Sequence, residues 1–428
     1  MPKLLKLRAN GKTVSAKEIR RKSMQISAKL RFATIAAATT AVMSTATLFG
    51  ANAQETYRIG YAISKTGPGA PGAATSTIPN YEMWVKEIND AGGLKVGDKQ
   101  LPIEVVEYDD RSSSEEAVRA IERLINQDKV DFILSPWGTG INLAVAPILD
   151  RAGYAHLAGT AVTDKAPQLS QRWKNSYWLL GTGEQYAVEL AKFLEGLKAE
   201  GKINDKVAMI AVADGFGIEL SKAGREALED RDFDLVYDKT YPLGSQDLAT
   251  IVNDIKSLGA DTFVAFSYPP GTLGLTEQSR VLGFNPKVFY AGVGTAFPLY
   301  KNRFGDNAEG VVSLGGASED DPKIANYIKR HVAFAEREPD RWASIVNWAT
   351  LQSLQQAIER AGTTDREAIN AELAKGGFDT ILGTYKPGDQ TFWQVGQWQG
   401  GKFVGLAPTS MEGAAELVFP KPEWKAAQ

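Results

Sequence analysis

Residues 131–163 read Asp131-Phe-Ile-Leu134, Ser135-Pro-Trp-Gly-Thr-Gly140 and Ile141-Asn-Leu-Ala-Val-Ala-Pro-Ile-Leu-Asp150, then Tyr154-Ala-His-Leu-Ala158 and Gly159-Thr-Ala-Val-Thr163. A short apolar run, a Gly-rich loop, an apolar periodic segment, a second apolar run and a second small-residue loop follow one another. That order predicts strand, helix, strand, with the two strands as parallel neighbours. Thr139 is placed to cap the helix, with unpaired backbone N–H groups beside its hydroxyl. Pro147 kinks the helix without ending it, because Ile148 and Leu149 resume the apolar pattern. Both loops leave the carboxyl ends of adjacent strands, where open α/β sheets bind ligands. A helix start with free donors favours an anionic or oxygen-rich group there. Such loops occur in every α/β protein, so this one needs support from the rest of the chain.

The 428 residues suffice for two or three domains with proper cores, and 43% hydrophobic with 23% charged residues is an ordinary globular composition. Residues 1–53 carry ten Lys or Arg and one acid, a net of +9; the remainder carries 38 basic and 50 acidic residues, a net of −12. A body that acidic argues against nucleic acid as a partner. Cysteine is absent from the sequence, which excludes disulfides, thiolate catalysis and Cys-based metal sites. His156 and His331 are too few and too far apart in sequence to suggest a zinc site. No metal and no cofactor is expected.

The amino terminus reads as an address. Lys29 and Arg31 precede Phe32-Ala-Thr-Ile-Ala-Ala-Ala38 and an uncharged run to Gly50, and Ala51-Asn52-Ala53 forms a small-x-small site before Gln54. These parts describe a secretory signal peptide cleaved after Ala53, with Met24 as the start and residues 1–23 as a basic extension. The Ala- and Thr-rich segment is too weakly hydrophobic for a membrane anchor. Without a cysteine at the cleavage point no lipid anchor is expected, so the mature protein should be soluble and periplasmic.

Downstream, residues 57–63 read as the first strand and residues 101–108 as a second, closing on Asp109-Asp110, a pair of the sort found in solvated turns. Ser113-Ser-Glu-Glu116 opens a helix as a capping box, with Val118, Ile121, Leu124 and Ile125 on one face. After residues 173–180 the alternation restarts, with a helix from Glu184, a strand over 206–212 and a helix from Gly215. The plan recurs at an offset of 130 residues: Val118, Ile121 and Ile125 fall on Leu248, Ile251 and Ile255, Asp131 on Asp261, and Gly138 on Tyr268. A shared α/β plan and a duplication both account for this. Either way there are two βαβ lobes, each presenting small-residue loops at strand ends. Residues 308–316 read as a return strand, 324–336 and 342–361 as helices, and 391–398 with 402–406 as a hairpin over Gln399-Gly-Gly401.

Several of these stretches together resemble the periplasmic branched-chain amino-acid-binding proteins, the leucine/isoleucine/valine-type solute receptors of ABC importers. They are Gly60-Tyr-Ala-Ile-Ser-Lys-Thr-Gly-Pro68, Trp84-Val-Lys-Glu-Ile-Asn-Asp-Ala-Gly-Gly93, Val106-Glu-Tyr-Asp-Asp110, Ala144-Val-Ala-Pro147, Gly305-Asp-Asn-Ala-Glu-Gly310 and residues 353–362. The resemblance runs in order through the mature chain. It implies the type I periplasmic binding fold, α/β, with two Rossmann-like lobes, a hinge and an interlobe ligand cleft. On that plan lobe 1 comprises residues 54–178 and 315–385, and lobe 2 residues 179–314 and 386–428.

Carried over position by position, the resemblance puts the hydroxyl-bearing loop that grips a ligand carboxylate on Trp137, Gly138 and Thr139, with Thr139 in the hydroxyl role. The second small-residue loop brings Thr160, Ala161 and Thr163. Cleft aromatics fall on Phe216 and Tyr268, and Tyr186 lies near the start of a helix. Two positions depart from the family pattern: the carboxylate that pairs with an α-ammonium falls at Val293, and the aromatic after the first strand falls near Gly72. His156, inside an apolar strand, reads as a satisfied core residue, and Trp178, Trp348 and Trp393 as core or lobe-edge residues.

The resemblance therefore implies a monomeric, non-catalytic receptor that captures a small carboxylate-bearing ligand and hands it to a membrane permease/ATPase complex. The ligand is amino-acid-like or, preferred on the Val293 departure, an aromatic or aliphatic acid without the ammonium. An exported clamshell used for signalling would look alike. An α/β enzyme would need a G-x-G-x-x-G turn after the first strand or a G-x-S-x-G elbow, and neither is present.

Overall fold

Strand β1 (Tyr57–Ile63) lies between β2 (Ile103–Asp109) and β3 (Phe132–Leu134), pairing in parallel with both. The computed structural model describes residues 55–245, 247–317, 319–388 and 392–425; the expected leader and the expected cleavage site after Ala53 lie outside them. The described residues from Thr56 onward form one compact unit. Strand β4 (His156–Ala158) pairs in parallel with β5 (Ser176–Trp178). No ladder joins β3 to β4, so the two strands of the organising stretch are not bonded neighbours. The backbone ends β3 at Ser135-Pro136, where proline has no N–H to offer, and the β4 entry turns its His156 N–H to Asn175 O at 2.8 Å.

The second sheet has seven strands. Strands β6 (Lys206–Val212), β7 (Asp234–Tyr241), β8 (Thr262–Phe266), β9 (Val288–Gly292), β10 (Val312–Ser313), β11 (Val395–Gln399) and β12 (Lys402–Ala407) lie in the order β12-β11-β10-β9-β8-β6-β7. The five from β7 to β10 are parallel, and the β11–β12 hairpin adds antiparallel strands at one edge. The central strands β6, β8 and β9 are buried almost throughout, as strands covered by helices on both faces must be, whereas the edge strand β7 exposes Asp234, Asp238 and Lys239.

Helices α1 (Ala70–Ser76), α2 (Ser114–Arg123), α3 (Thr139–Arg151), α4 (Gly183–Ala199), α5 (Gly215–Glu229), α6 (Ala249–Lys256), α7 (Pro269–Leu282) and α8 (Ala343–Ala361) position the cleft. Their starts follow local chemistry. Ser113 accepts from Glu116 N, Thr182 and Gln185 form a full capping box, and Asp214 accepts from Gly217 N. Pro147 sits inside α3, which continues through it to Arg151.

The 130-residue offset is visible in the fold: β3 and β8 begin at 132 and 262, and α3 and α7 at 139 and 269. It drifts to 132 residues by β4 and β9, which begin at 156 and 288. The chain passes between the sheets three times: after β5, after β10 and before β11. On the middle passage α8 packs against the first lobe, where Asn347 Nδ2 donates to Ser76 O (2.9 Å) and Asn80 Nδ2 reaches Ser344 O (3.4 Å).

Candidate ligand cleft

The α3 loop is built on glycine. Gly138 precedes the helix at φ +92, ψ +149, a backbone state that side-chain-bearing residues avoid. Gly138 is thus the N-cap, and Thr139 is the first helical residue rather than the cap. The Thr139 hydroxyl accepts from Val162 N (3.1 Å) and turns toward Val162 O (3.3 Å), so it ties the two small-residue loops together. Thr160 does the same from the other side: its hydroxyl accepts from Gly138 N (3.1 Å) and donates to Pro136 O (3.2 Å).

Trp137 swings over α1. Its indole N–H donates to Ser76 Oγ (3.1 Å), and a Cβ on Gly72 would lie 2.1 Å from its Cζ2. A side chain at residue 72 and the Trp137 indole exclude each other, and Trp137 fills the space. From the second lobe, Tyr268 meets Trp137 (ring centroids 5.1 Å) and stacks on Phe216 (5.2 Å, 20° between planes). The Tyr268 hydroxyl donates to Asp214 Oδ2 (2.8 Å) and faces the Thr139 backbone N–H across the cleft. Burial, then the neighbouring Asp214 charge, pushes the Tyr268 pKa up, which keeps it a donor. Burial likewise raises Asp214, against the hydrogen bonds from Gly217 N and Tyr268.

These groups enclose a chamber with about 290 Å³ of empty space, walled by Trp137, Thr160, Phe216, Tyr268 and Val293 of the expected residues, and by Ser76, Phe297, Trp342 and Ala343 besides. Aromatic rings nearly fill it: about 10 Å³ remains for the centre of a water, room for about one molecule. Gly138 and Asp214 line a wider vestibule outside, with Ser64 and Ser112, sharing Trp137 and Tyr268 as a common wall.

Thr139, Ala161, Thr163 and Tyr186 stand off the chamber wall. Thr163 donates to Glu219 Oε2 (2.6 Å) on α5, so it bridges the lobes. The Tyr186 hydroxyl accepts from the Trp342 indole N–H (2.8 Å) and acts on the chamber through that ring. Trp342 and Ala343 were missed because a helix start in the middle crossing carries no loop motif. The clue is an aromatic directly after Pro339-Asp340-Arg341, where the helix cannot yet bury it.

His156 is a satisfied core residue, bonded to Ser176 Oγ (2.8 Å) and Asn142 Oδ1 (2.9 Å), with its pKa lowered by burial to about 3. Asp109 follows turn chemistry, accepting from Thr66 and Arg111 N. Asp110 makes the same turn bond, from Ser112 N (2.8 Å), but is not solvated: it is fully buried and also accepts from Ser64 Oγ (2.7 Å). A broad depression beside Arg366 and Lys174 also touches Gly153 and Asn175, which precede β4 and β5. It therefore lies at the amino ends of strands, away from the cleft. Among the described residues no group of acidic or histidine side chains is placed to hold a metal ion, and no helix is long and apolar enough to cross a membrane.

Two α/β lobes that close on an aromatic chamber at the carboxyl ends of their strands define a ligand-clamping protein. The sequence profile described as "Periplasmic binding protein" matches residues 56–396, and the chain belongs to that family. A relative from Brucella melitensis, "Leu/Ile/Val-binding protein homolog 3", is 27% identical over 370 residues, covering 84% of this chain and 95% of its own. Among solved structures, the branched-chain amino acid transporter substrate-binding protein LivJ of Streptococcus pneumoniae, in complex with isoleucine, is 21% identical. Its TM-score is 0.70, with 86% of this chain and 100% of its own covered. A solute-binding protein of an ABC transporter from R. palustris, in complex with benzoate, is 20% identical with a TM-score of 0.70, covering 84% and 99%. The fold is that of the type I periplasmic binding proteins, and these relatives are binding proteins rather than enzymes.

Proposed function

We propose that the protein captures a small monocarboxylate with an apolar aromatic or aliphatic body and no α-ammonium, and delivers it to an ABC importer. One observation carries this reading: five aromatic rings and Val293 wall the chamber, no chamber-lining residue is acidic, and the carboxylate of the vestibule, Asp214, is already engaged by Gly217 N and the Tyr268 hydroxyl. An ammonium buried there without an anionic partner would cost several kcal/mol. The carboxylate belongs at the start of α3, where backbone N–H groups and the helix dipole favour an anion. Tyr268 holds that place in the closed cleft and moves aside for the ligand. Of isoleucine and benzoate, the ligands of the two structural relatives described above, the chamber suits benzoate.

Residues 54–178 and 315–385 then form one clamping lobe, and 179–314 with 386–428 the other. The receptor works as a monomer exported by its leader, and its partner is a membrane permease/ATPase complex. Thermal-shift screening of the mature protein against monocarboxylates, amino acids and sugars tests the reading. At least one apolar monocarboxylate should raise the Tm; stabilisation by sugars alone would remove the proposal.

A further inference from the structure

Trp342 has a face on two spaces. One is the closed aromatic chamber; the other is an open groove whose near wall is Ile345, Val346, Leu382 and Phe392, with Asp320, Asp321 and Glu412 also lining it. A single indole therefore lines both the chamber and a larger groove whose wall next to the indole is apolar.

That indole is fixed from every side. Its N–H donates to Tyr186 Oη (2.8 Å), and the Tyr186 ring packs edge-on against it (centroids 6.1 Å, 81°). Phe392 supports Tyr186 from the groove side, 5.8 Å away. The Trp342 backbone N–H donates to Asp340 Oδ1 (2.8 Å), a buried carboxylate that also accepts from Ser344 N (3.1 Å). Gly315, at φ +94, makes room: a Cβ there would lie 2.5 Å from the Trp342 Cβ. A ring this constrained holds one rotamer.

We propose that Trp342 is a specificity-determining wall that limits the length of the ligand's apolar body, and that Tyr186 is the positioning residue that holds it. With the indole in place, a ligand ends at the chamber. With the indole removed, chamber and groove become continuous, and a longer chain can run out over Ile345, Val346 and Leu382. Each methylene that gains cover there should tighten binding about fourfold. The proposal rests on the reading that the chamber holds the ligand.

Calorimetric titration with unbranched ω-phenylalkanoates, from benzoate upward, tests it on the mature wild-type chain, Trp342→Ala, Trp342→Leu and Tyr186→Phe. Wild type should bind the short members best and lose about tenfold or more once the chain outgrows the chamber. In Trp342→Ala the optimum should move to acids longer by several carbons, with Trp342→Leu and Tyr186→Phe in between. Trp342→Leu and Tyr186→Phe keep the test open if the alanine variant does not fold. A Trp342 variant that binds the short acids and keeps the wild-type length optimum overturns the wall, and the same result in Tyr186→Phe overturns the positioning role of Tyr186. Wild type that binds none of the series overturns the ligand reading and the wall with it.

Discussion

Gly138 and Tyr268 occupy the same station in the two halves of the molecule, each the last residue before a helix, and they meet across the cleft. The Tyr268 hydroxyl lies 3.9 Å from where a Gly138 Cβ would stand. The first half contributes open backbone donors at this point and the second a phenol that covers them. A ligand that takes those donors must displace Tyr268.

Gly138→Ala places a side chain at φ +92, a strained state costing about 1–3 kcal/mol. Urea unfolding should show a loss of that size, and ligand affinity should fall with it because the start of α3 shifts. Unchanged stability would mean that the loop relaxes without effort.

Thr139→Val leaves the buried Val162 N–H without its acceptor and should cost about 1–3 kcal/mol in the same assay. Thr139→Ser keeps the oxygen and should cost less. If both variants lose ligand affinity equally while stability is untouched, the hydroxyl contacts ligand directly and does not tie the loops.

Glu219 joins the lobes: Oε2 accepts from Thr163 Oγ1 (2.6 Å) and Asp164 N (2.8 Å), and Oε1 pairs with Lys165 Nζ (3.1 Å). Glu219→Ala should raise the radius of gyration of the ligand-free protein in small-angle scattering and weaken ligand binding about tenfold. An unchanged scattering curve and affinity would show that closure does not depend on this contact.

Buried neutral His156 makes stability sensitive to acid. Its folded pKa is about 3 against an ordinary 6.5, so between those values the unfolded chain binds the extra proton. Stability from this group is complete above pH 6.5 and falls as pH drops toward 3, by up to about 1.4 kcal/mol per unit. Denaturation midpoints between pH 7 and 4 should fall less steeply in His156→Gln. Equal slopes would place the acid sensitivity elsewhere.

The periodicities of apolar residues and the capping residue Ser113 made most elements legible, because these signals are local. Pairing was less legible: β3 and β4 each carry only three residues, and nothing in the sequence reveals that no ladder joins them. At the site, Trp137, Thr160, Phe216, Tyr268 and Val293 came from loop positions at strand ends and reach the chamber. Thr139, Thr163 and Tyr186 carry the right chemistry but spend it on Val162, Glu219 and Trp342, and such commitments depend on side-chain direction. Ser76, Phe297, Trp342 and Ala343 arrive from distant elements. Gly72 looked like a lost aromatic and is the vacancy that Trp137 needs.

The most direct test compares each amino acid with its deaminated analogue in calorimetric titrations of the mature protein: phenylalanine against 3-phenylpropanoate, and leucine against 4-methylpentanoate. The apolar chamber predicts that the acids bind and that the amino acids bind at least about tenfold more weakly, since several kcal/mol of unpaired ammonium burial stands against them. Tighter binding of phenylalanine or leucine than of the matching acid would contradict the account and mean that an ammonium finds its partner in this cleft.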